Sequence, residues 1–301
     1  MSGTEPTAAR RDVITFAAPA KINLYLHVTG RRADGYHELD SLVAFAGVHD
    51  TVSVAPAASL SLTVDGPFAA GLDDGGGNLV LAAANALADR TGVSKGAAIS
   101  LTKRLPVASG IGGGSADAAA ALRALMALWS LDIAEPVLME IGLGLGADVP
   151  ICLAGHAAFV GGIGERLEPS PDLPEAGVVL VNPLQPLATP AVFKARTGPF
   201  SVAARFDRPP ADAAELAAVL AERRNDLGAA AVSLCPAIGR VLEVLDACPG
   251  ALLARMSGSG ATCFALFDSV ETASAQAGAL ASAHADWWVA AGRLLSDTRD
   301  R

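Results

Sequence analysis

The stretch Pro106-Val107-Ala108-Ser109-Gly110-Ile111-Gly112-Gly113-Gly114-Ser115-Ala116 opens an alanine-rich segment, Ser115–Trp129, whose composition is strongly helical. Glycines let the main chain reach positive φ and let a ligand approach the backbone closely. Free N–H groups at the start of the following helix, with the helix dipole behind them, attract phosphate. Ser115 can cap that helix or turn its hydroxyl toward a phosphate. The spacing is not that of a P-loop, because no Gly-Lys-Ser/Thr closes it. The dinucleotide fingerprint fails as well, since Ser115 stands where a third glycine or alanine belongs. A tight connection is the plainer reading, but the density of glycine and serine exceeds what a turn requires.

Three further sites carry chemistry only in combination. Met256-Ser-Gly-Ser-Gly-Ala-Thr262, with Gly258, Ser259 and Gly260, leads into the apolar run CFALF. It is either a structural turn or a place of close backbone contact with the first loop or its ligand. Lys21 lies in the apolar segment AAPAKINLYL, where an unpaired lysine is costly to bury. It is either a snorkelling edge residue or a cation set in a cleft. Strand alternation puts Lys21, Asn23 and Tyr25 on one face and Ile22, Leu24 and Leu26 on the other. Asp148, in Gly-Ala-Asp-Val-Pro, either caps a turn or serves as a partly buried base kept ionised by Lys21.

The elements that must position these residues follow from pattern. Strands are expected from Val13 to Val28, around Leu42–Ala46 and Thr51–Ala55, at Leu60–Val64 and at Ala97–Leu101. Gly30–Tyr36 is a turn built on Asp34-Gly35, and Gly71–Gly77 is a loop. Asn78 stands where a helix N-cap belongs, before LVLAAANALADR, and a helix is expected at Glu135–Leu143. The later part alternates a strand at Val178–Val181, helices at Ala211–Arg224, Leu227–Leu234 and Ala237–Ala247, and a strand at Cys263–Phe267. Proline-rich stretches beyond residue 169 place the change of domain near 160, giving domains 1–160 and 161–301. The fold class is α/β (α+β), in two domains with the site in the cleft between them.

Composition narrows the function. Of 301 residues, 51% are hydrophobic and 18% charged, enough apolar content to build a core. The net charge of −9 leaves no basic surplus for neutralising phosphates, so no nucleic-acid partner is expected. Four cysteines without a C-x-x-C pair read as reduced, mostly buried thiols. Residues 1–11 read as a loose polar tail without the apolar core of a signal peptide, and no apolar run has the ~18 residues of a membrane helix. The expectation is a soluble cytoplasmic protein with no membrane partner; protein partners are not readable.

Taken in order, the A-P-A-K strand, the glycine/serine loop running into a helix and the late S-G-S-G-A motif resemble the GHMP kinases. APAKINLYLHVTGRRADGYHELDSL, RLPVASGIGGGSADAAAAL and LGADVPICLAGHAAFVGGIGE resemble in particular the branch that acts on 4-diphosphocytidyl-2-C-methyl-D-erythritol. The likeness is dense in the first half and patchy between 169 and 255.

The resemblance implies transfer of a phosphoryl group from ATP, with Mg²⁺, to the 2-hydroxyl of that cytidine diphosphate-linked small molecule. Lys21 and Asp148 match the catalytic pair. Pro106–Ala116 match the phosphate cradle, and Asn78 and Lys103 match positions beside the nucleotide; helix cap and solvated strand end are their plainer readings. Tyr36 and Phe193 would stack on cytosine, His37 would hydrogen-bond it, and Asn23, Thr189, Gly258, Ser259 and Gly260 would contact substrate. Without the family pattern Phe193 reads as core and His37 as a surface histidine. Relatives often read Gly-Gly-Gly-Ser-Ser-Asn, where this chain has Gly-Gly-Gly-Ser-Ala-Asp, so a hydroxyl is missing and Asp117 brings negative charge near the phosphates. Ala108 and Ser109 replace usual glycines, which puts ATP affinity in question. No dedicated magnesium carboxylate is identifiable. Rival readings are a GHMP kinase for homoserine, mevalonate or a sugar, a nucleotide sensor that kept the fold, and a structural protein.

Overall fold

The computed structural model describes residues 13–72 and 77–299. The expected N-terminal tail and the middle of the Gly71–Gly77 loop lie outside the described residues. In chain order the elements are β1 (Ile14–Arg31), β2 (His37–Ala57), β3 (Ser61–Asp65), α1 (Leu79–Thr91), β4 (Gly96–Thr102), α2 (Gly113–Trp129), α3 (Glu135–Leu145) and α4 (Val149–Ala154). These are followed by β5 (Ala158–Gly162), β6 (Arg166–Pro169), β7 (Gly177–Asn182), α5 (Thr189–Ala195), α6 (Ala213–Ala221), α7 (Gly228–Leu234), α8 (Ala237–Asp246), β8 (Leu253–Met256), β9 (Cys263–Phe267), α9 (Val270–Ala283) and β10 (Trp288–Leu295).

The two strands expected at Leu42–Ala46 and Thr51–Ala55 are one, β2, which organises the first sheet. It pairs along its length with β1, through its first part with β5 and through its last part with β4. The intervening Gly47–Asp50 does not break it, because Pro19 and Ala18 of β1 pair across it. Residue 160, where the sequence suggested a change of domain, lies inside β5 opposite Ser41, and the β5–β6 hairpin extends that sheet to Pro169. The second sheet starts at β7, with the order β10-β7-β9-β8, and the Leu294–Ala46 pairing of β10 with β2 joins the two.

Alternation along the strands distributes side chains between cores. In β7, Val178 and Leu180 face a core shared with β1 and β2, while Val179 and Val181 face the core closed by α7, α8 and α9. Phe264 and Leu266 of β9 join the first of these, and Cys263, Ala265 and Phe267 the second. A third core holds Val43, Phe45, Val52 and Val54 of β2 against α1 and α2. The alanine run of α2 is buried on nearly every side, since small side chains let a helix lie close to a sheet. This central helix carries the glycine loop at its N-terminus. The cysteines are free, three buried and Cys248 partly so. Among the described residues no helix is long and apolar enough to cross a membrane.

Candidate active site

A cleft of about 740 Å³ is lined by β1, β2, the glycine loop, the start of α4, α5 and the second glycine cluster. Its floor is set by irregularities in β1. Register shifts occur between Pro19 and Lys21 and between Asn23 and Tyr25. The second breaks the alternation expected from sequence, because a bulge turns the chain by one residue. Lys21 and Asn23 still line the cleft, but Leu26 follows them there. Tyr25 instead joins Ile22 and Leu24 in the shared core. Its hydroxyl donates to Asp40 Oδ2 at 2.9 Å, and burial with the Asp40 charge pushes its pKa well up.

Lys21 Nζ donates to Asp148 Oδ2 at 3.0 Å. The lysine side chain is 6% exposed and the carboxylate 44%. Asp148 occupies the residue before α4 yet makes no side-chain capping bond there, so the capping alternative gives way to the lysine pairing. The pair sets the ammonium on its buried side and the carboxylate at its open end. One charged oxygen thus faces the cleft while the cation stays shielded from water.

The glycine loop joins β1 at Lys21, whose N–H donates to Ile111 O at 2.9 Å. Pro106 to Gly110 and Gly112 to Ser115 line the cleft. Ile111 and Ala116 do not; both are buried in hydrophobic cores and anchor the loop from behind. Ser115 is not the helix cap. The N-cap is Gly112 with φ 63°, so Ser115 sits in the first turn with its hydroxyl available to the cleft. Ala108 takes φ 50°, a region where a Cβ is strained and a glycine would not be.

The two glycine clusters are in backbone contact. Thr262 N donates to Ser109 O at 3.1 Å, and Ser257 Oγ donates to Gly110 O at 3.1 Å. A Cβ at Gly110 would stand 2.5 Å from Gly260 O and 2.8 Å from Ser257 O. A Cβ at Gly258 would stand 2.9 Å from Gly110 O. Glycine is needed here because main chain meets main chain. Gly258 and Ser259 line the cleft, but Gly260 is turned toward Met256 and Ile238 and does not. Ser257, which sequence reading passed over, links the parts: its Oγ also accepts from Asn23 N at 3.1 Å. The repeated serine of S-G-S-G was the available signal.

Asn78 caps α1, its Oδ1 accepting from Val80 N at 2.9 Å, and also lines the cleft. Lys103 is not a solvated strand end. It is buried between Asp50 and Asp117, donating to Asp117 Oδ2 at 2.8 Å and to Asp50 Oδ2. Burial pulls its pKa down, but the two carboxylates outweigh that and the net direction is up. Asp117 is therefore buried beside the loop and shares a single cation with Asp50. Asp50 was missed because nothing local distinguishes Val48-His-Asp-Thr51 from an ordinary strand.

On the opposite wall Thr189 Oγ1 and Ser259 Oγ share a hydrogen bond of 2.7 Å. Phe193 lines the cleft, and the His37 ring stacks on it with centroids 5.1 Å apart and planes 25° from parallel. Partial burial and the guanidinium groups of Arg31 and Arg196 push the His37 pKa down, favouring the neutral imidazole. Tyr36 is not brought to the lining: it sits on the β1–β2 turn, 61% exposed. Its turn is held by Asp34, whose side chain accepts from Tyr36 N rather than from the ring. Asn23 Nδ2 donates to Ser41 Oγ at 2.8 Å, while its buried Oδ1 has no partner.

Comparison with known proteins shows the family. The family described as GHMP kinases N terminal domain matches residues 78–156, and that described as GHMP kinases C terminal matches 208–286. A 4-diphosphocytidyl-2-C-methyl-D-erythritol kinase of Paramagnetospirillum magneticum is 58% identical over 93% of this chain and 98% of its own. One from Rhodospirillum rubrum is 52% identical over 95% and 94%. A crystal structure of a 4-(cytidine 5'-diphospho)-2C-methyl-D-erythritol kinase superposes with a TM-score of 0.77 at 36% identity, covering 94% of this chain and 99% of that one. The chain belongs to the GHMP kinases, in the 4-diphosphocytidyl-2-C-methyl-D-erythritol kinase family.

Proposed function

We propose that the chain transfers the γ-phosphoryl group of ATP to the 2-hydroxyl of 4-diphosphocytidyl-2-C-methyl-D-erythritol, giving the 2-phosphate and ADP in the non-mevalonate route to isoprenoid precursors. The observation that carries the reading is the Lys21–Asp148 pair, set in one cleft with a glycine loop at the N-terminus of α2. Phosphoryl transfer asks a protein mainly for positioning and charge stabilisation. Backbone N–H groups of Val107 to Gly110 and of Gly112 to Ser115 hold the triphosphate. Asp148 orients the acceptor hydroxyl and receives its proton as the oxygen–phosphorus bond forms and the bond to the leaving ADP oxygen breaks. Lys21 fixes Asp148 and offsets negative charge at the transferring group.

The cytosine is assigned to Phe193 and His37, beside the turn that carries Tyr36. A base held against an aromatic face, with a neutral imidazole on its polar edge, is recognised by stacking and hydrogen bonding together. The unpartnered Asn23 Oδ1 is assigned a substrate hydroxyl, which supplies the donor that a buried carbonyl lacks. Thr189, Gly258 and Ser259 complete that wall. Among the described residues no three His, Cys, Asp or Glu side chains converge. Mg²⁺ would be brought in with ATP and would lower the charge of the triphosphate. Free thiols and an ATP substrate fit a cytoplasmic enzyme.

The test is ³¹P NMR of a reaction with Mg·ATP and a panel of acceptors. A new phosphomonoester signal with 4-diphosphocytidyl-2-C-methyl-D-erythritol, and none with homoserine, mevalonate or galactose, is expected. Faster transfer to one of the other alcohols would replace the substrate assignment while keeping the kinase.

A further inference from the structure

Lys103, Asp50 and Asp117 form a buried cluster behind the glycine loop, with the three side chains 3%, 0% and 4% exposed. One lysine and two aspartates leave a net charge of −1 in a place closed to water. The two carboxylates are not equivalent. Asp50 Oδ1 accepts from the N–H groups of Arg104 and Leu105, and its Oδ2 accepts from Lys103. Asp117 accepts only from Lys103, through Oδ2, and its buried Oδ1 has no partner. A buried acceptor left unsatisfied is costly, and more so when charged. Of the two, Asp117 is the carboxylate better served by a proton.

The cluster also touches the cradle. A Cβ on Gly113, the first residue of α2, would lie 3.0 Å from Lys103 Nζ and 3.8 Å from Asp50 Oδ2. Lys103 and Asp117 both line the cleft. A triphosphate seated on that helix start brings several negative charges to within a few ångströms of an uncompensated one. Interactions of that kind are strong where water is excluded.

Resting on the nucleotide reading above, we infer that Asp117 is a proton-linked nucleotide-binding residue: as Mg·ATP enters, its carboxylate takes one proton from solvent onto Oδ1. The cluster then passes from −1 to neutral, and the like-charge repulsion against the triphosphate is removed. Burial already pushes the Asp117 pKa up to about 7, against the lowering effect of Lys103. The charged group facing it besides Lys103 is Asp50, which also raises its pKa, and the Cys152 thiol nearby is kept protonated by burial. Added phosphate charge raises the value further. Protons are taken up between the free and bound values, and affinity falls as pH rises through that window.

Isothermal titration of the full chain with the non-hydrolysable analogue Mg·AMP-PNP, at pH 8 in buffers of different ionisation enthalpy, counts the protons directly. Wild type is expected to take up a fraction approaching about one proton, and Kd to weaken by up to about tenfold per pH unit between pH 7.5 and 9. Asp117→Asn is expected to show only the uptake that belongs to the nucleotide itself, with a flat Kd; Asp117→Ala serves if the asparagine variant does not fold. Binding by wild type without extra uptake, or the same uptake in the variants, overturns the inference. A wild type that binds no nucleotide at all overturns the proposed function and this inference with it.

Discussion

Lys21 on β1 and Asp148 ahead of α4 are 127 residues apart in sequence, yet their side chains meet at 3.0 Å, with the lysine nearly enclosed and the aspartate half open to the cleft. The asymmetry suits catalysis better than stability. An ion pair with one partner in water contributes little to folding, because solvent screens it. A shielded cation beside an accessible carboxylate keeps that carboxylate aimed into the cleft.

Replacing Lys21 with methionine keeps most of the buried volume and removes the charge. The Asp148 left behind is solvated, so stability is expected to change by less than about 1 kcal/mol. Turnover is expected to fall by roughly 10²-fold or more, as for loss of a transition-state charge. Thermal melting beside steady-state kinetics checks both; a large loss of melting temperature would make Lys21 a structural residue.

Gly110→Ala is expected to disrupt the packing of the two glycine clusters. Its Cβ would meet two carbonyl oxygens of main chain, at a φ of 78° that disfavours a side chain. A loss of roughly 2 kcal/mol or more is expected in urea unfolding, within the range of strained backbone substitutions. An unchanged midpoint would mean the loops are not locked together.

Local chemistry made much of this legible. Glycine density ahead of an alanine run marked the loop that opens α2, Asn78 announced the start of α1, and CFALF announced β9. What stayed hidden depended on pairing across long separations. The bulge after Asn23 exists because β1 must follow β2, and it sends Tyr25 into the core against simple alternation. Asp50 acquires its meaning only when β4 delivers Lys103 beside it. Gly260 looks like its neighbour Gly258 in sequence, but the turn points them to opposite sides.

Phe193→Ala should separate the two substrates. Loss of a stacking face costs about 1–3 kcal/mol, so KM for the cytidine substrate is expected to rise roughly 5- to 150-fold. KM for ATP should move by less than about threefold. Equal losses for both would place Phe193 in the scaffold rather than at the base.

The raised Asp117 pKa has a sign in stability. An acid with an ordinary value near 3.8 and a folded value of about 7 holds its proton longer when folded. Its contribution is fullest below the ordinary value and is lost as pH rises toward 7. Asp117→Asn, which cannot titrate, is therefore expected to be more stable than wild type at pH 8, with the gap shrinking toward pH 4. A gap independent of pH would contradict this.

The central claim is that Asp148 acts on the acceptor hydroxyl, and single-turnover phosphoryl transfer by Asp148→Asn tests it most directly. The variant keeps the shape and a hydrogen-bonding oxygen for Lys21 but cannot take a proton. The transfer rate is expected to fall by about 10²- to 10⁴-fold, with Mg·AMP-PNP and substrate Kd values close to wild type. Transfer within a few-fold of wild type would contradict it and leave Asp148 no part in the chemistry.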